Sequence, residues 1–162
     1  MYVNLENKDH VAVVATKTMK VVAKWPTAPG GAPVGMAIDA DRGHLFVGCR
    51  KPQKLLVMST ENGKILADLP IGAGVDATKF DNGYAFCSCR DGTLAVARET
   101  SPGKFEIVQT VITRPGARTM GVDPTTHMLY LPTAEMGQEM DARGRPRPKP
   151  DSFMIVVVSP SR

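Results

Sequence analysis

The chain has 162 residues, 43% of them hydrophobic and 22% charged, with a formal net charge of +4. That length and apolar share suit one domain with a real core and exclude a largely disordered chain. No stretch approaches the roughly 20 apolar residues that a membrane-crossing helix needs.

In chain order, the first segments are Tyr2-Val3-Asn4-Leu5, Val11 to Val14 and Lys20 to Lys24, three short β-branched runs separated by turns. The next four are Gly35 to Asp39, His44 to Cys49, Leu55 to Met58 and Lys64 to Leu69. Ala77 to Asp81, Tyr84 to Cys89, Thr93 to Ala97 and Phe105 to Val111 follow, and then Thr119 to Asp123, Met128 to Leu131 and Phe153 to Val158. Fourteen strands are expected and no helix.

These runs repeat. Asp39, Asp81 and Asp123 each end an alternating run and stand 42 residues apart, a spacing in the propeller-blade range of about 40 to 45. An aromatic recurs one strand later, as Phe46, Phe86 and Tyr130, with Tyr2 before them. Asn82-Gly83, Asp91-Gly92 and Asn62-Gly63 supply the residues that tight hairpin turns require, and Asp41-Arg42-Gly43 and Ser101-Pro102-Gly103 act similarly. A sandwich also has many short strands, but it gives no reason for one Asp and one aromatic to recur at a fixed offset. The reading is an all-β partial β-propeller of about 3.5 four-stranded blades. It is one unit over 1–162: a partial blade at 1–27, blades at 33–70 and 75–112, and a partial blade at 117–159 carrying a loop at 134–151.

Tyr2-Val3-Asn4-Leu5 followed by Val11 to Val22 resembles the YVTN β-propeller repeat, although Asn4 directly follows Val3 and Ala15 stands where that repeat has Asp. Arg118-Thr119-Met120 and Leu131-Pro132-Thr133-Ala134-Glu135 extend the likeness, so the chain resembles the C-terminal half of a YncE-like protein. The resemblance implies a seven-bladed ring, a periplasmic or secreted location and no assigned catalytic activity. Met1 to Glu6 itself has neither the basic nor the apolar region of a secretory signal.

Few residues carry recognisable chemistry. Gly72-Ala73-Gly74-Val75-Asp76-Ala77 has the glycine pattern of a dinucleotide-binding turn, but it leads into a strand pattern rather than a helix. Cys49, Cys87 and Cys89 are odd in number and fit packing better than a disulfide framework. With His10, His44 and His127 scattered, no metal site and no cofactor is expected. Asp39, Asp81 and Asp123 read as turn residues that accept backbone hydrogen bonds.

Propellers bind ligands where inter-blade loops meet the central channel. Aligning the repeats puts Asp76 and Arg118 at equivalent positions before the first strand of their blades, and these two with Glu135 are the candidate ligand contacts. A rim salt bridge is the plainer role for Asp76 and Arg118. The 134–151 loop carries Arg143, Arg145, Arg147 and Lys149 between prolines, offset by Glu135, Glu139 and Asp141, and reads as a solvated linker ahead of a partner-binding arm. Nucleic acid is not an expected partner. The functional expectation is a non-catalytic scaffold for a partner protein or small polar ligand. The alternative is part of a lactonase-like or amine-dehydrogenase-like propeller enzyme. Open blade edges at both ends lead to an expectation of self-association.

Overall fold

The computed structural model describes residues 1–142, 144 and 146–160. Two arginines of the basic run, Arg143 and Arg145, lie outside the described residues. Fourteen strands form four antiparallel sheets, and there is no α-helix among the described residues. One 3-10 turn at Glu6–Lys8 is the sole helical element described.

The first sheet contains β1 (Tyr2–Leu5), β2 (His10–Ala15) and β3 (Lys20–Pro26). The second contains β4 (Pro33–Asp39), β5 (His44–Arg50), β6 (Gln53–Ser59) and β7 (Ile65–Pro70). The third contains β8 (Val75–Asp81), β9 (Tyr84–Cys89), β10 (Thr93–Ser101) and β11 (Lys104–Ile112). The last contains β12 (Gly121–Val122), β13 (Leu129–Met140) and β14 (Pro146–Val158). Every strand pairs only with its sequence neighbours, as expected when short turns link radial up-and-down sheets. Asn82 and Gly83 show how locally this is dictated: their φ angles of 47° and 82° form the two-residue turn between β8 and β9.

Three apolar clusters lie between consecutive sheets rather than inside any one of them. Val11 of the first sheet meets Leu45, Val47, Leu56 and Met58 of the second. On its other face the second sheet presents Phe46, Leu55 and Val57 to Ala85, Cys87, Ala95 and Phe105 of the third. Leu94 of the third meets Leu129 and Leu131 of the last, with Phe86 and Val111 packed alongside. Alternate residues of one strand therefore serve two different interfaces, which is why central strands such as β5 and β6 read as continuous apolar runs.

The recurrent aromatics now have a physical role. Each lies on the second strand of its repeat, and Tyr2, Phe46 and Phe86 face the following sheet, whereas Tyr130, in the last sheet, is exposed. Tyr2 donates to the Thr60 carbonyl at 3.0 Å, and Phe46 stacks on Phe80 with ring centroids 5.2 Å apart. Phe86 packs into the third cluster.

The segment 134–151 differs from the expected loop. β13 continues to Met140 and β14 begins at Pro146, so most of the segment is a two-stranded ribbon with irregular register after Ala134. Pro146, Pro148 and Pro150 fall on alternate residues, so their missing N–H groups all lie on one edge. An outer strand tolerates that arrangement. Composition marked the segment as extended, and only its partner strand made it a ladder.

Candidate functional site: the charged rim and the outer groove

In an antiparallel sheet, the end of the second strand and the start of the first lie at the same end. Arg50 ends β5, and Asp76 is the second residue of β8 in the next sheet. The Arg50 guanidinium bridges three sheets, donating from Nη2 to Asp76 Oδ1 at 2.5 Å and from Nη1 to Glu6 Oε1 at 3.0 Å. Its Nε donates to the Val75 carbonyl at 2.9 Å, which fixes the plane of the guanidinium. Arg118, just before the last sheet, brings its Nη1 to 3.7 Å from the same Asp76 oxygen. The row Glu6, Arg50, Asp76, Arg118 thus takes one residue from each of the four blades: Glu6 from the turn after β1, Arg50 and Asp76 from strands, and Arg118 from the loop before β12.

Asp76 and Arg118 do come together, as the repeat alignment suggested. At 3.7 Å, however, Arg118 lies beyond hydrogen-bond length, so its donors are not committed to Asp76. Its side chain is 41% exposed, against 22% for Asp76. Glu135 sits elsewhere: it accepts from Lys149 Nζ at 3.0 Å across the β13–β14 ribbon, beside a small groove with Arg114 and Met136. Sequence alignment missed Arg50 and Glu6. The available signal was the Cys49-Arg50 and Cys89-Arg90 pairs, which recur at the ends of β5 and β9.

A larger groove of about 360 Å³ lies between the third and last sheets, lined by Leu94, Val96, Gln109, Val111, Leu129 and Val158. His127 stands at this groove, with Nδ1 2.7 Å from Asp81 Oδ2. Asp81 therefore departs from the turn role expected of all three recurrent aspartates. Asp39 accepts from the Arg42 backbone at 3.2 Å, and Asp123 accepts from the Thr126 hydroxyl at 2.7 Å and the Thr125 backbone at 2.9 Å. Those bonds, the Thr126 hydroxyl foremost, hold the Asp123 carboxyl below its ordinary range.

The three cysteines are free and buried, with Cys87 and Cys89 in one cluster and Cys49 in another. Burial pushes the Cys49 and Cys87 thiols up to about 12 and Cys89 up to about 11. The glycine-rich 72–74 segment joins β7 to β8 and runs directly into strand, so no helix N-terminus is available there for a phosphate. Among the described residues, no group of three or more His, Cys, Asp or Glu side chains is placed to hold a metal ion. No helix among them is long and apolar enough to cross a membrane.

Radial antiparallel sheets with clusters between successive faces define a partial β-propeller. Solved structures share this fold. Hydrazine synthase of Kuenenia stuttgartiensis superposes with a TM-score of 0.75 at 17% identity, over 96% of this chain and 45% of its own. Sqt1 of Saccharomyces cerevisiae gives 0.62 at 13% identity, over 94% of this chain and 36% of its own. The chain thus spans less than half the length of either. At these identities the likeness is one of fold. The sequence matches no family model and no curated protein.

Proposed function

We propose that this chain is a non-catalytic propeller scaffold that binds a partner protein or small polar ligand through its channel-side rim, within an exported YncE-like protein. One observation carries the reading: the rim gathers a charged residue from every blade, and Arg118 at its end is half-exposed with donors not spent on Asp76. Arg50 is held on three sides and serves as a fixed support. A carboxylate is the complementary group, because a guanidinium offers two parallel donors to its two oxygens. The family part of the reading rests on the Tyr2-Val3-Asn4-Leu5 and Val11 to Val22 pattern.

The test is thermal unfolding of the wild-type chain and Arg118→Ala in the presence of small dicarboxylates such as malonate and succinate. Ligand that binds only the folded state raises its unfolding temperature by mass action. The expected result is a concentration-dependent rise in wild type that Arg118→Ala abolishes. A rise of equal size in both proteins, or none in wild type, overturns the rim as the binding site.

A further inference from the structure

The charged rim changes character between the third and last sheets. At the junction before it, Arg50 meets Asp76 at 2.5 Å, and the repeat carries each of these to one equivalent residue. Arg90 follows Cys89 as Arg50 follows Cys49, and the pairings of Cys49 with Pro33 and of Cys89 with Val75 fix that equivalence. Arg118 stands at the same offset before Asp123 as Asp76 does before Asp81. Where the earlier junction sets arginine against aspartate, this one sets arginine against arginine.

The backbone brings the two together. Phe86, Ser88 and Arg90 are alternate residues, which places them on one face. Phe86 packs in the cluster shared with the last sheet, and the Ser88 hydroxyl donates to the Arg118 carbonyl at 2.5 Å. The Gly116 N–H donates to the Arg90 carbonyl at 2.8 Å, tying Arg90 to the loop that carries Arg118. The Arg90 stem lies over Gly74, its Cδ 3.8 Å from where a Gly74 Cβ would stand, and so runs along the rim beside β8. Every strand and loop of this junction is internal to the chain.

No side chain supplies the missing anion. Among the described residues, no carboxylate pairs with Arg90, which is exposed. The adjacent Asp91 accepts from the Ala73 and Thr93 N–H groups and from the Thr93 hydroxyl. Asp76 is held by Arg50 and lies 3.7 Å from Arg118, beyond hydrogen-bond length.

We infer that Arg90 and Arg118 together bind one phosphate-type dianion, a free phosphate or a phosphate monoester, in the place that the Asp76 carboxylate takes beside Arg50. The inference rests on the rim reading and narrows its ligand. A lone carboxylate presents one charge and two oxygens, which match a single guanidinium fork. A phosphate monoester presents three oxygens and about −1.5 to −2 charge at pH 7, which match two forks and offset their mutual repulsion.

The experiment is thermal unfolding of the chain at constant ionic strength in inorganic phosphate, glycerol phosphate or dimethyl phosphate, with succinate as the rim control. Wild type is compared with Arg90→Ala, Arg118→Ala and Arg118→Asp, and circular dichroism confirms that each is folded. Phosphate and glycerol phosphate are expected to raise the wild-type unfolding temperature, the larger rise naming the source, and the singly charged diester to leave it unchanged. Either alanine variant should weaken the apparent affinity at least about tenfold. Arg118→Asp restores the pairing of the earlier junction, so it should unfold at a higher temperature than wild type without phosphate and not respond to phosphate. A full response kept by Arg90→Ala, or an equal response to the diester, overturns the two-arginine site and leaves the rim reading standing. So does a wild type that responds to succinate but not to phosphate, whereas a wild type that responds to neither overturns both readings. An Arg118→Asp variant less stable than wild type overturns the facing of Arg90 and Arg118.

Discussion

His127 Nδ1 lies 2.7 Å from Asp81 Oδ2, so the turn between β12 and β13 of the last sheet is tied to the end of β8 in the third. His127 also has a φ of 57°, a left-handed conformation that costs most side chains energy. Replacing it separates the two effects. His127→Ala loses the bond and keeps the strain, and is expected to lower stability by about 1 kcal/mol. His127→Gly loses the same bond but relieves the backbone, so it should be the more stable of the two in urea unfolding.

Asp76 should matter more than Arg118 for stability. Asp76→Ala removes the partner of Arg50 and leaves two guanidiniums near one another, with an expected cost of about 1 kcal/mol that grows at low salt. Arg118→Ala should shift urea unfolding very little, because its contact is long and exposed. Equal losses in the two variants would show that Arg118 is a structural member of the row.

Gly35 lies where the inner strands of the second and third sheets run close together. A Cβ there would stand 2.7 Å from the Thr78 backbone nitrogen and 2.9 Å from the Ala77 carbonyl carbon, besides meeting the Thr78 hydroxyl. Backbone cannot swing aside as a side chain can, so Gly35→Ala must push the sheets apart. The expected loss is about 1 to 3 kcal/mol by calorimetry or urea unfolding.

Cysteine burial sets the alkaline limit. In the unfolded chain the thiols ionise near their ordinary value of 9.0, while in the folded chain Cys49 and Cys87 hold their protons to about 12 and Cys89 to about 11. Above 9.0 the unfolded state therefore binds fewer protons than the folded one, and stability falls as pH rises through that window. Below it the contribution is fully present. Unfolding temperatures measured on either side of pH 9.0 should show this decline, and Cys87→Ala should make it shallower. Iodoacetamide should label all three thiols after unfolding and hardly any before.

How much of this was legible in the residues depends on how local the cause is. The strands and hairpins were, because Asn82-Gly83 and alternating runs such as Val75–Asp81 act within a few residues. So was the proximity of Asp76 and Arg118, since a repeat places equivalent residues in neighbouring blades. The segment 134–151 was only half legible: its prolines announce extension, but a ladder also needs the partner strand.

By itself, then, the sequence determined an all-β repeat with a 42-residue period and short connections. Only the tertiary structure decided that Arg50 rather than Arg118 holds Asp76 tightly and that His127 reaches Asp81. The reason is distance along the chain. Turns and alternation are fixed by neighbouring residues, whereas contacts across 26 or 46 positions exist only once the sheets have stacked about a common axis.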